Sequence, residues 1–186
     1  MQTAVIIPTL ETPHLLLREF KPNDTEELSA FMTQPRYQRH ITHRMRDGAM
    51  VQDFVHRQVA AQGDSRRHVY HLAAEEKLSG DVIGEGFVIA HRNGSHELGW
   101  GVHPAMWSNG FGTEIGRALL ALGFERLKAR TMWSKVMADN TASIKLATRI
   151  GMIHKESLSA YGLGQGKIGP VDVFSMAQSA YFDLPY

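Results

Sequence analysis

Glu97-Leu98-Gly99-Trp100-Gly101-Val102, followed by Trp107-Ser108-Asn109-Gly110-Phe111-Gly112-Thr113, reads as a strand, a glycine-rich turn and the start of a helix. Glycine at 110 and 112 permits unusual dihedrals and close backbone approach, and the first amides of a helix have no intrahelical acceptor. A phosphate-bearing ligand is therefore expected against Gly110, Phe111, Gly112 and Thr113. Asn140-Thr141-Ala142-Ser143 is a second junction of the same kind, with Asn140 as N-cap and Ser143 one turn inward. Two such junctions on neighbouring strands would open a cleft where the strands end, wide enough for a ligand with a long flexible arm.

The elements that must position these residues follow from pattern. Leu15 to Phe20 reads as a strand, Pro22-Asn23-Asp24 as a turn and cap, and Thr25 to Thr33 as a helix. Pro35 to Arg46 is basic and irregular, and Asp47 caps a helix that runs to about Gln62. Val69 to Ala74, Val82 to Ala90 and Glu97 to Val102 form an antiparallel meander, its turns at Lys77 to Gly80 and Asn93-Gly94. A helix over Thr113 to Lys128, a strand over Met132 to Met137 and a helix over Asn140 to Ile150, stopped by Gly151, come next. Met152 to Lys155 and Val171 to Met176 pair as closing strands. The alternation gives an α/β or α+β sheet with flanking helices.

The 186 residues suit one domain spanning the whole chain, with 43% hydrophobic and 21% charged residues and no repeat. Twenty Lys and Arg against nineteen Asp and Glu leave +1, so a nucleic-acid partner is not expected. The Ala4 to Ile7 run lacks a basic leader and a cleavage site, so neither a signal peptide nor a membrane span is expected. The absence of cysteine excludes disulfides, thiolate metal sites and a cysteine nucleophile, and the cytoplasm is the expected compartment. His40 with His43 and His68 with His71 are closely spaced but lack a carboxylate set, so no metal is expected. His103 is either a cleft residue or a turn cap.

Gly110-Phe111-Gly112-Thr113-Glu114-Ile115-Gly116 imitates a dinucleotide fingerprint, yet His103 to Asn109 separate it from its strand and no acidic residue follows at the required distance. No Walker sequence is present either.

The order of motifs resembles a GCN5-related N-acetyltransferase (GNAT), in the branch of the ribosomal-protein N-terminal acetyltransferases. Thr12-Pro13-His14-Leu15-Leu16-Leu17-Arg18 with Asp24 resembles its first strand and helix entry, and Glu97-Leu98-Gly99-Trp100 its fourth strand. Trp107 to Glu114 resembles its pyrophosphate loop, Asn140-Thr141-Ala142-Ser143 the segment after its fifth strand, and Val171-Asp172-Val173 its closing strand. The resemblance implies a mixed, mostly antiparallel sheet of about seven strands with about four helices, splayed between the fourth and fifth strands. It also implies acetyl-coenzyme A as cosubstrate and a primary amine as acceptor, with direct attack in a ternary complex.

An amine of pKa about 10.4 needs a proton acceptor near neutrality, and Glu97 is the expected base, with Glu85 in Gly84-Glu85-Gly86 the alternative. The family's oxyanion donor is a backbone N–H, which falls here on Val102. The tyrosine common in relatives seven residues after Asn140 is replaced by Ala147, so either Ser143 or Tyr161 is left to protonate the thiolate. Trp107 and Asn109 stand where Gln or Arg and a basic residue are frequent. The backbone donors of Asn109, Gly110, Phe111, Gly112 and Thr113 persist, and Asn140 and Ser143 are placed against the pantetheine or adenosine part. A non-catalytic acyl-coenzyme A-binding or protein-interaction module on the same fold is the alternative reading. The acceptor walls fall at Arg36 to Arg46, which is basic, and at Ser157 to Gly169, whose Gly162, Gly164, Gly166 and Gly169 suggest mobility. A protein N-terminus, a polyamine and an antibiotic amine all remain open as acceptors, as does the oligomeric state, a homodimer included.

Overall fold

Leu15 and Leu17 are fully buried while Leu16 and Arg18, which alternate with them, are not, and this commits the segment to a strand with one face on a core. In the computed structural model, which describes residues 7–41, 44–162 and 168–184, that segment is part of an eight-stranded sheet. The strands are β1 (Leu10–Glu11), β2 (Leu15–Glu19), β3 (Val69–Glu76), β4 (Val82–Ile89), β5 (Ser95–Val102), β6 (Thr131–Met137), β7 (Ile153–Gly162) and β8 (Ile168–Ala177). Their spatial order is β1-β2-β3-β4-β5-β6-β8-β7, antiparallel throughout except between β5 and β6.

Helices α1 (Thr25–Met32), α2 (Pro35–Gln38) and α3 (Gly48–Ala61) cover one face, where Leu28, Phe31, Tyr37, Val51, Phe54 and Val55 pack with Ala73 and Val82. Helices α4 (Phe111–Ala121) and α5 (Thr141–Arg149) cover the other, where Ile115, Leu119, Ala147 and Ile150 pack with Leu72, Val88, Leu98 and Met132. The short α6 (Gln178–Phe182) closes the same core through Tyr181. Gly84 and Gly86 explain how closely α4 lies. A Cβ on Gly86 would stand 2.8 Å from Leu119 Cδ1 and 2.9 Å from Ile115 Cγ2. The glycines flanking Glu85 thus admit a helix.

The sheet class and the splay agree with expectation, while the count of elements does not. Strand β1 has two residues, too few for periodicity to reveal, and α2 is a single turn opened by Pro35 within the basic segment read as irregular. Helix α4 begins at Phe111 rather than Thr113 and runs into a π-helical turn over Leu122–Arg126. The closing hairpin is far longer than expected, because β7 is an edge strand exposed along most of its length and carries no apolar alternation. Gly162 and Gly169 belong to its strands, whereas Gly164 and Gly166 lie outside the described residues.

Candidate active site

Pairing between β5 and β6 lasts for three residues, Ser95 opposite Thr131, His96 opposite Met132 and Glu97 opposite Trp133, after which the strands part. On its other side β5 stays paired with β4 through Val102, and the His103 N–H donates to the Ile83 carbonyl at 2.7 Å. Hydrogen-bonded pairs alternate along an antiparallel ladder, so the amides of Glu97, Gly99 and Gly101 point toward β4. Those of Trp100 and Val102 point into the gap. The Val102 carbonyl also leaves the ladder, accepting a hydrogen bond from the Trp107 indole N–H at 2.8 Å.

Trp107 therefore braces the glycine turn instead of supplying a charged side chain, and the Arg36 guanidinium of α2 lies 4.6 Å above its ring. The turn passes through left-handed backbone at Ser108 (φ 69°) and Gly110 (φ 87°). Asn109 donates its side-chain amide to the Met106 carbonyl at 3.2 Å. The Thr113 and Glu114 amides return to the Gly110 carbonyl, and those of Phe111 and Gly112 open the helix. A Cβ at Gly110 would meet nothing within 4 Å, so Gly110→Ala is expected to cost only the left-handed penalty, about 1–2 kcal/mol in a chemical denaturation series. Gly112 has a packing role besides its place in the turn. A Cβ there would stand 2.7 Å from Leu146 Cδ1, which sets α5 close beside α4.

At the second junction the Asn140 side chain accepts the Ser143 N–H at 3.2 Å, an N-cap as expected, and Ser143 is half-buried in the first turn of α5. Ala147 is completely buried in the core of that helix. The helix starts of α4 and α5 thus share one face of the sheet, to one side of the gap. Glu97 lies on the opposite face by strand alternation, together with Gly99 and Gly101, at the point where β5 and β6 separate. Its Oε1 pairs with Lys135 Nζ of β6 at 3.1 Å, and Lys135 also donates to Tyr161 Oη of β7 at 2.8 Å. Burial works against the Lys135 charge, but the Tyr161 hydroxyl and Glu97 outweigh it and raise its pKa.

Glu85 occupies a different place. It is buried on β4, where it accepts a hydrogen bond from the Tyr37 hydroxyl at 2.8 Å and pairs with His71 Nε2. Burial alone would raise its pKa, but His71 and Tyr37 outweigh burial and hold the carboxyl below the usual range. Burial, reinforced by this carboxylate, pushes Tyr37 well above the ordinary phenol value. Phe20, Phe54 and Phe87 surround His71. Both Glu85 oxygens are thereby engaged inside the α1 to α3 core.

The remaining candidates lie elsewhere in the fold. His103 accepts the Ala105 N–H at 3.0 Å, which makes it a turn cap, and its ring packs on Phe31. His68 is exposed, His40 lies 3.4 Å from Asp139, and His43 falls outside the described residues. Arg18 and Asp24 form a bidentate pair at 2.8 and 2.9 Å that fixes the entry of α1. Glu114 accepts from the Thr12 hydroxyl at 2.6 Å and the His14 amide at 3.0 Å, tying α4 to the β1–β2 turn. Sequence reasoning passed over Lys135, Trp133 and Tyr37. Lys135 did leave a signal: it is a lone cation in a strand whose alternate residues Met132, Ser134 and Val136 are buried.

Among the described residues no helix is long and apolar enough to cross a membrane. The profile of the Acetyltransferase (GNAT) domain matches residues 14–153. An uncharacterized N-acetyltransferase of Bacillus licheniformis, p20, is 26% identical over 178 residues, covering 93% of this chain and 98% of the relative. A GNAT-family acetyltransferase from Bacillus anthracis has the same fold, with a TM-score of 0.81 at 16% identity over 92% of this chain and 99% of its own. RimL, a ribosomal L7/L12 alpha-N-protein acetyltransferase in complex with coenzyme A, has a TM-score of 0.77 at 16% identity over 94% and 99%.

Proposed function

The chain belongs to the GNAT acetyltransferase family and is an acyl-coenzyme A-dependent N-acetyltransferase, and from that premise we propose that it moves an acetyl group directly onto a primary amine at the gap between β5 and β6. The observation that carries this reading is the parting of the strands after Glu97, which turns the Val102 amide toward the gap beside the helix starts of α4 and α5. Amides at Phe111 and Gly112 suit the pyrophosphate, and Asn140 and Ser143 border the path of the pantetheine arm.

In the proposed step the ammonium acceptor gives a proton to Glu97, directly or through a water, and the freed amine nitrogen attacks the thioester carbonyl. The Val102 N–H holds the oxyanion. Collapse expels the coenzyme A thiolate, which takes a proton from Ser143 or Tyr161, and that group regains one from the nitrogen as the amide forms. Glu97 is preferred to Glu85 because it stands at the gap, whereas both oxygens of Glu85 are occupied in the closed core. The acceptor class proposed is a primary amine, of a protein N-terminus or a small molecule.

A thermal-shift titration with acetyl-coenzyme A, with NADPH and ATP as controls, tests the donor site. Ligand at about a hundred times its Kd adds about 2.7 kcal/mol, which at about 2–4 °C per kcal/mol for a chain this size raises Tm by roughly 5–10 °C. A shift with NADPH alone would overturn the assignment of the glycine turn. Thiol release with an amine panel then separates turnover from binding without turnover.

A further inference from the structure

Lys135 joins three elements at the mouth of the gap. Its Nζ lies 3.1 Å from Glu97 Oε1 on β5 and 2.8 Å from Tyr161 Oη on β7, and it sits 5.1 and 4.6 Å from the ring centroids of Trp133 and Tyr161. The Lys135 and Glu97 side chains are 23% and 15% exposed, so this pair is largely removed from the water that makes surface ion pairs weak. The two aromatic faces confine the ammonium, and β6 carries it one alternation beyond the last β5–β6 pair, so it spans the strands as they separate.

We propose that Lys135 is a positioning residue for acetyl transfer, binding the carboxylate of Glu97 and the phenol of Tyr161 into one unit across the parted strands. An ammonium has donors and no acceptor, so the Tyr161 oxygen must accept from it, and the phenol O–H is left to donate elsewhere. The same ammonium fixes the direction of the Glu97 carboxylate. Base and acid are then set by a single side chain, which selects Tyr161 over Ser143 as the group that protonates the thiolate. This inference rests on the assignment of Glu97 as the base.

His91 stacks on Trp133 at 6.2 Å, Glu85 on the same sheet face is closed off by Tyr37 and His71, and Asp139 beyond the end of β6 pairs with His40.

The test uses the full chain with Lys135→Met, Lys135→Arg, Tyr161→Phe and Glu97→Gln. For each variant kcat, the KM for acetyl-coenzyme A and Tm are measured. In Lys135→Met kcat is expected to fall about 10- to 100-fold while the KM for acetyl-coenzyme A stays within about twofold. Lys135→Arg keeps the charge and is expected to restore most of kcat; Tyr161→Phe is expected to lower kcat. A strand staple alone would lower Tm and leave kcat in place. An unchanged kcat in Lys135→Met, or an arginine variant as impaired as the methionine one, overturns the proposal. Normal turnover by Glu97→Gln overturns instead the assignment of the base. Should Lys135→Met fail to fold, Lys135→Gln carries the same kinetic comparison.

Discussion

Glu97→Gln is expected to lower kcat with an amine acceptor by at least tenfold, and by as much as the 10²- to 10⁴-fold that general base catalysis contributes, while acetyl-coenzyme A affinity stays within about twofold. The substitution is nearly isosteric, and the amide carbonyl can still accept from Lys135 at the position of Oε1, so the strut across the gap survives. What is lost is the ability to take a proton from an ammonium acceptor. Steady-state thiol release and a donor titration read the two effects separately. Unchanged turnover would move the base elsewhere and leave Glu85 as the remaining candidate, despite its closed surroundings.

The contrast between those two glutamates shows what the chain order made legible. Both were readable as carboxylates on adjacent antiparallel strands near glycine, and the sequence alone left them as alternatives. Only the register separates them. Gly101 stands opposite Glu85, and without a side chain there the Glu85 carboxylate and the Tyr37 hydroxyl fill the space over β5. Tyr37 lies 48 positions from Glu85, and no local pattern announces a contact of that separation. The glycine turn and the Asn140 cap were legible because their physics is local: backbone conformation at one residue, a side chain satisfying an amide three residues on. Strand β7 and the contacts of Tyr161 were not, since an exposed edge strand buries too little to impose a period. Gly84 and Gly86 mark the limit of glycine as a functional signal, for the close neighbour they admit is the side-chain ridge of α4.

Gly101→Ala is expected to be the most damaging single methyl in this region, although it touches no proposed catalytic group. A Cβ at 101 would stand 2.0 Å from Tyr37 Oη and 2.6 Å from Glu85 Oε1, both within the buried core. Tyr37 is held at ring distance 5.0 Å from Phe31, so its hydroxyl cannot withdraw without moving α2. Overpacking of this kind costs about 1–3 kcal/mol, and loss of the phenol donor to a buried carboxylate about as much again. A total of about 3 kcal/mol at pH 7 corresponds to a Tm lower by roughly 6–12 °C. The pH dependence carries a definite sign. Glu85 has a folded-state pKa below its unfolded value, so its contribution is present above the ordinary carboxylate range near pH 4.3 and is lost as pH falls through the folded value. Removing the Tyr37 hydrogen bond raises that folded value, so the gap in Tm between the parent chain and Gly101→Ala is expected to narrow on acidification from pH 7 to about pH 4. Tyr37→Phe should reproduce this narrowing without the overpacking. Because Arg36, the neighbour of Tyr37 on α2, covers Trp107 of the glycine turn, acetyl-coenzyme A affinity is expected to weaken in Gly101→Ala more than in Tyr37→Phe. A Gly101→Ala chain with unchanged Tm would mean that the phenol yields freely and that the buried Glu85, His71 and Tyr37 cluster does not hold α2 against β5.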